Sequence, residues 1–315
     1  VKQVKAFAPA SMGNVSLGFD ILGAAVKPIK GEPLGDSVVL TEANHFDLTV
    51  SGRFAEKLPA EKQQNIVTHC YRHYVEQLQY LNRENIQPAH ITLEKNLPIG
   101  SGLGSSAASI VAAFVAINHF YNNPFDQRQL LMMMGELEGQ ISGSVHYDNV
   151  APAYLGGMVL MTGEADQATV SLPVFNNWYW VLCYSGLSVS TSAARKILPD
   201  QYPISDTLRF GRQLAVFVDA LYRNDPDTAA RMIKDPIAEP YRKALLPKFD
   251  EAAAFVDSQS GLAFGISGSG PTVFAVTDDL DCANRIQQWL QEHYVQNAFG
   301  FSHVCKIDKQ GAKVD

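Results

Sequence analysis

The spacing of apolar and polar positions changes period several times along the chain. "AHITLEKNL", from Ala89, alternates, with Ile91 and Leu93 on one face, and predicts a strand. "GDSVVLTEANHFDLTVSGR" holds two β-rich runs split by the polar "EANH", and "VKQVKAFAPA" reads as an extended segment that stops near Pro9. "GGMVLMTG" and "NWYWVLCYSG" read as strands, and "GLAFGISGSGPTVFAVTD" as two short strands around a glycine turn. Helical spacing runs through Ile66, Cys70, Tyr74 and Leu78, and again in "TSAARKIL", "TLRFGRQLAVFVDALYRN", "LPKFDEAAAFVDSQ" and "DCANRIQQWLQEHY". Ser105 to His119 is apolar on nearly every side, which predicts a buried helix. The elements mix without regular βαβα alternation, so the expected class is α+β. The polar, turn-rich "TGEADQATVSLP" divides the chain into expected domains at 1–168 and 169–315.

The helix opened by Asp126 carries a carboxylate in an awkward place. Leu130, Leu131, Met134, Leu137 and Ile141 form one apolar stripe, and Glu136 falls well outside it. Glu138 falls within its edge, between Leu131 and Met134, where a carboxylate is costly unless paired or bound to a metal. By spacing alone it reads either as a Mg²⁺ ligand or as an edge glutamate reaching for water.

Composition narrows the partners. The 315 residues carry a net charge of −7, which argues against a broad nucleic-acid or anionic-membrane surface. The 4 cysteines form no C-x-x-C pair, so no zinc or redox motif is indicated. The longest apolar run, "AASIVAAFVAI", is about half the ~20 residues of a membrane span. The opening "VKQVKAFAPAS" lacks the pattern of a secretion signal, and the expected location is the cytoplasm.

The chemistry concentrates in "PIGSGLGSSAAS", Pro98 to Ser109. As a Walker A loop it lacks the lysine, since nothing basic lies between Lys95 and Arg128. As a dinucleotide fingerprint, through Gly102, Gly104 and Ala107, it lacks the second strand that should follow its helix. A third reading needs only the backbone. Gly100, Gly102 and Gly104 let amides converge, and the helix starting at Ser105 or Ser106 adds its free N–H groups and dipole. A glycine turn with a serine cap is the plain structural alternative.

Three segments together resemble the GHMP kinases, ATP-dependent small-molecule kinases. "PIGSGLGSSAA" is similar to the family's P-x-x-x-G-L-G-S-S-A-A loop, "GISGSGPTVFA" to its C-terminal glycine motif and "APASMGNVSLGFDILGAAV" to its N-terminal motif. "SGSVHYDNVAPAYLGGM", "STSAARKILP" and "AEPYRKALLPKF" extend the resemblance toward the branch whose acceptor is L-homoserine. The resemblance implies a ribosomal S5 domain 2-like N-terminal domain and a ferredoxin-like C-terminal domain. It implies transfer of the ATP γ-phosphoryl group to the homoserine hydroxyl, on the route to threonine, by a homodimer. Mevalonate or sugar kinases of the same family, a non-catalytic ligand sensor and a dehydrogenase are the rival readings.

The same resemblance assigns residues. Pro98, Ile99, Gly100, Ser101, Gly102, Leu103, Gly104, Ser105 and Ser106 would bind ATP, with Asn65 toward the adenine. Ser106 and Glu138 would hold Mg²⁺. Asn14, Asp20, His146, Asp148 and Asn149 would hold the acceptor's ammonium and hydroxyl, and Arg195 and Arg242 its carboxylate. By pattern alone Asn14 and Asp20 read as turn residues, His146 as structural, and the two arginines as solvated. Asn149 stands where several relatives have an aspartate base, which implies direct attack and a pH–rate profile without an essential base near neutrality.

Overall fold

The computed structural model describes residues 2–81, 86–142, 145–164 and 167–315. The strands are β1 (Gln3–Pro9), β2 (Ser11–Gly13), β3 (Leu22–Pro28), β4 (Gly35–Glu42), β5 (Asp47–Ser51), β6 (Ala89–Glu94), β7 (Met158–Met161), β8 (Thr169–Leu172), β9 (Tyr179–Tyr184), β10 (Ala263–Ile266), β11 (Val273–Thr277), β12 (Phe301–Ile307) and β13 (Lys313–Val314). The helices are α1 (Ile66–Tyr80), α2 (Ser105–Phe120), α3 (Gln127–Ser142), α4 (Val150–Leu155), α5 (Thr191–Lys196), α6 (Ile204–Tyr222), α7 (Pro226–Met232), α8 (Glu239–Arg242), α9 (Phe249–Ser258) and α10 (Leu280–His293). The architecture is mixed α/β, as the pattern predicts. β2, β3, β8, β12, β13, α4, α7 and α8 were not read from the hydrophobic pattern.

One sheet has the order β13-β1-β4-β6-β5, and α2 packs on it between α1 and α3. The alternation of β6 appears as alternating burial, and α2 is buried on nearly all sides, as its composition demands. α3 opens with a reciprocal capping box. The Gln129 amide donates to Asp126 Oδ1 at 2.9 Å, and the Asp126 amide donates to Gln129 Oε1 at 2.9 Å. The Ile141 side chain of the predicted stripe lies outside the described residues.

The second sheet has the order β10-β11-β9-β12-β3-β7-β8. Its C-terminal part runs β9, helices, β10, β11, α10, β12. The spatial order is therefore second-third-first-fourth, the ferredoxin-like split βαβ arrangement. Strand pairing crosses the division at 168: β8 pairs with β7, β12 with β3 and β13 with β1. Hydrogen-bonded sheet therefore ties the two parts of the chain together around the site.

Candidate active site

A cavity of about 730 Å³ opens where the two parts meet. Its wall includes Asn14, Asp20, Asn65, Ile99, Gly100, Ser101, Gly102, Gly104, Ser105, Ser106, Glu138, His146, Asp148, Asn149, Arg195 and Arg242. Of the expected site residues, Pro98 and Leu103 do not line it. Both are buried in the packing beneath the loop, so their side chains shape its path and face no ligand space.

The loop's geometry follows from where its carbonyls go. Ile99 O accepts from Ser188 Oγ at 3.1 Å, Gly100 O from Val189 N at 2.9 Å and Ser101 O from Thr272 N at 3.1 Å. Gly102 O accepts from Ser267 Oγ at 2.7 Å and Leu103 O from Ser11 N at 3.1 Å. The N–H groups of Gly100, Gly102, Gly104, Ser105 and Ser106 donate to no protein acceptor among the described residues. Gly104 is the N-cap of α2, with φ 64°, and no side chain caps that helix. A serine cap is thus not what the glycines serve. A rank of free amides and a bare helix N-terminus is a site for phosphate oxygens. Gly102 has φ +78°, and a Cβ there would overlap Ser267 O, so the glycine also permits the C-terminal turn to close on the loop.

Glu138 reaches the loop from α3. Ser106 Oγ donates to Glu138 Oε1 at 2.8 Å, which brings a hydroxyl and a carboxylate together at the start of α2. Burial raises the Glu138 carboxyl above its usual range, against the Ser106 hydrogen bond and the Lys95 charge. The pair supplies hard oxygens, the donor type Mg²⁺ takes when phosphates and waters complete its shell.

The opposite wall is charged in both signs. Arg195 grips Asp20 in a fork, Nη1 to Oδ2 at 2.8 Å and Nη2 to Oδ1 at 2.9 Å. Arg195 Nη2 also lies 3.3 Å from His146 Nε2. Since arginine only donates, that nitrogen accepts and the ring proton belongs on Nδ1. Burial lowers the His146 pKa, so the ring is neutral at pH 7. Arg242 is 3% exposed, with Nε on Ala194 O and Nη1 on Gly268 O, both at 3.1 Å. The Phe19 ring lies 5.4 Å from the Arg195 guanidinium and 5.1 Å from that of Arg242. Neither arginine is merely solvated. Asn14 spans the N-terminal loop and the C-terminal turn, accepting from Asp20 N at 2.9 Å and donating to Gly268 O at 3.3 Å.

Asp148 and Asn149 lie between the two walls. Asn149 Oδ1 accepts from Ser11 Oγ at 3.0 Å, and its Nδ2 points at Asp148 Oδ2, 3.4 Å away. Burial, then the negative charges of Asp20 and Glu138, push the Asp148 carboxyl up to about 7. A group that titrates near neutrality therefore stands in the cavity, beside the expectation of a pH–rate profile without an essential base near neutrality.

The chain matches the GHMP kinases N terminal domain over residues 65–157 and the GHMP kinases C terminal domain over residues 217–296. A homoserine kinase structure from Cytophaga hutchinsonii is 34% identical, with a TM-score of 0.89 over 100% of this chain and 98% of the other. The chain belongs to the GHMP kinase family. It is also similar to a putative homoserine kinase from Listeria monocytogenes, at 22% identity and TM-score 0.71 over 99% of each chain. A mevalonate kinase from Methanococcus jannaschii shares the fold at 14% identity and TM-score 0.68, over 97% of this chain and 98% of the other.

As a GHMP kinase, the chain uses ATP to phosphorylate a small molecule. No helix among the described residues is long and apolar enough to cross a membrane. Several wall residues had no signal in the sequence. Leu58 and Pro59 are two; they join Ile66, which the resemblance already set with Asn65 toward the adenine, to give the cavity an apolar end. The Asn65 side chain caps α1 through Oδ1, and its buried Nδ2 has no hydrogen-bond partner among the described residues. Ser188 arrives on the segment before α5, which no motif flagged, while Ser190 opens the "STSAARKILP" segment of the resemblance. Lys95, discounted because it precedes the loop, is buried directly behind it. Its spacing from Ser105 and Ser109 becomes meaningful only once the loop is known to fold back on itself.

Proposed function

We propose that this GHMP kinase phosphorylates the side-chain hydroxyl of L-homoserine with Mg²⁺-ATP, giving O-phospho-L-homoserine for threonine biosynthesis. The observation that carries the choice of acceptor is the wall opposite the loop. Two arginines and an aspartate converge there, the charge complement of an amino-acid zwitterion. The 34% identity to a protein named homoserine kinase supports the same choice.

In this reading the free amides of the loop and of α2 bind the phosphates. The adenine lies along Leu58, Pro59 and Ile66 with the Asn65 Nδ2 at its edge. Ser106 Oγ and Glu138 would hold Mg²⁺, which supplies positive charge to the phosphate oxygens as the phosphoryl group is transferred. Arg195 and Arg242 take the acceptor carboxylate, and Asp20 and Asp148 its ammonium. The Asp20–Arg195 fork pairs these two charges with each other, and a zwitterion would engage the same two groups. Asn14, His146 and Asn149 orient the chain that carries the hydroxyl.

The hydroxyl attacks the γ-phosphorus, the bond to the ADP oxygen breaks, and the hydroxyl proton leaves to solvent or phosphate. Asn149 cannot take it usefully. A loose transition state needs little activation of the nucleophile, so positioning and electrostatic stabilisation carry the rate. The test is ADP release with Mg²⁺-ATP and L-homoserine, set against L-serine, L-threonine and mevalonate. Homoserine-dependent ADP well above the other acceptors is expected; equal or absent release with homoserine refutes the assignment.

A further inference from the structure

The loop without a Walker lysine has a lysine behind it. Lys95 follows the last residue of β6 and is 2% exposed, and Asp36 on β4 is 0% exposed. Lys95 Nζ donates to Asp36 Oδ2 at 2.5 Å, to Ser105 O at 2.8 Å and to Ser109 Oγ at 2.9 Å. Asp36 Oδ1 accepts from the amides of Asn96 at 2.8 Å and Leu97 at 2.9 Å, and its Oδ2 also accepts from Ser109 Oγ at 2.8 Å. All three ammonium protons are used, so none is left for a phosphate.

We propose that Asp36 and Lys95 are positioning residues that clamp both ends of the phosphate loop and so hold its amides in register for ATP; this rests on reading that loop as the nucleotide site. The contacts divide between the two margins of the loop. Asn96 and Leu97 lead into it, and Ser105 and Ser109 are the first turns of α2 that lead out. Ser105 Oγ on Leu97 O, at 3.2 Å, ties the margins to each other. The anchor is stiff, because β4 pairs along its length with β1 and, for most of it, with β6. Stability alone is a weak reason for such a pair, since a buried ion pair is often no better than apolar residues of the same volume. A loop with three glycines at positive φ has a stronger need of fixed ends. The lysine thus acts through the loop instead of touching the nucleotide.

The experiment compares wild type with Asp36→Asn, Lys95→Met, the double variant and Ser109→Ala in the full chain. Calorimetry with Mg²⁺-ATP, the KM values for both substrates and hydrogen exchange of peptides covering 95–106 are read together. Each charge variant should weaken ATP binding by about 10- to 100-fold and leave the homoserine KM within about twofold. The double variant should be no worse than the poorer single, because the two groups act as one unit. Loop amides should exchange faster in all of them, with Ser109→Ala the mildest. If Lys95→Met loses ATP affinity and Asp36→Asn keeps it, the lysine is a direct ligand and the proposal falls. It falls also if affinity and loop exchange stay at wild-type values throughout. Should the charge variants not fold, Ser109→Ala decides, since it removes the hydroxyl's bonds to Lys95 Nζ and Asp36 Oδ2 and leaves the ion pair itself. Wild-type protein that binds no ATP would overturn the kinase reading alone. Loop exchange would still decide the clamp, unchanged rates counting against it.

Discussion

Replacing Asp148 with asparagine should make the protein more stable and worse at holding its acceptor. The carboxyl is 6% exposed, and burial with two neighbouring negative charges moves it from an ordinary 3.8 to about 7. Between those values the unfolded chain has released this proton and the folded chain still holds it. Stability therefore falls as pH rises through that window, is undiminished below it, and carries the whole penalty above it. At about 1.36 kcal/mol per pH unit, the gap amounts to about 4 kcal/mol. Asparagine keeps the shape and does not ionise. Thermal unfolding of the variant and wild type should coincide near pH 4 and separate up to pH 8, with the variant higher by several degrees. An offset that does not change with pH, or a wild type that is more stable at pH 8, refutes the electrostatic account. Kinetics separate the two roles a carboxylate can have here. Wild-type kcat/KM for homoserine should rise through about pH 7 as Asp148 ionises to receive the ammonium, while kcat stays nearly flat. The variant should lose that rise and show a higher homoserine KM. A kcat about a thousandfold lower at unchanged KM would instead make Asp148 the base, and direct attack would be wrong.

Four further substitutions make three tests. Glu138→Gln should cut kcat by about 100-fold or more at saturating ATP without unfolding the protein; turnover within a fewfold of wild type removes Glu138 from the site. Arg195→Ala, which breaks a half-buried fork, should raise the homoserine KM by about 30- to 100-fold and leave the ATP KM unchanged in steady-state assays. Gly102→Ala and Gly157→Ala both place a side chain at positive φ, but only the first drives it into backbone, at Ser267 O, while Gly157 faces open space. Thermal melts should show about 1 kcal/mol lost at 157 and several-fold more at 102, with ATP affinity falling only at 102.

The elements that could be read from the sequence were those whose burial writes a period. The alternation of β6, the all-round apolarity of α2 and the Asp126 that opens α3 are properties of single segments, and each survives into the structure. β3 shows what such reading misses. Its "LGAA" has few good strand formers, because Gly23 lies against the backbone of Asp148, where a Cβ would overlap the carbonyl oxygen. A neighbour distant in sequence decided that residue, and no period records it. β13 is two residues long and exists through its pairing with β1.

The site divides along the same line. Gly100 to Ser106 announce themselves because the glycine loop is continuous in sequence. Arg195, Arg242 and Asp20 were singled out by resemblance; by pattern alone the arginines read as solvated and Asp20 as a turn residue. Their common purpose is visible only where α5, α8 and the N-terminal loop meet around Phe19. Lys95 is the sharper case. It precedes the loop, and its ammonium is spent on Asp36, Ser105 and Ser109, so a motif that places a lysine beside a ligand does not include it. The structure shows a different solution, in which carbonyls bound to Ser11, Ser188, Val189, Ser267 and Thr272 leave the loop amides free. Those five partners come from three separate stretches of the chain. The loop can therefore take its binding shape only when the N-terminal strand, the segment before α5 and the C-terminal glycine turn have all closed on it. The spacing of the three glycine motifs is thus a consequence of one set of hydrogen bonds around one loop.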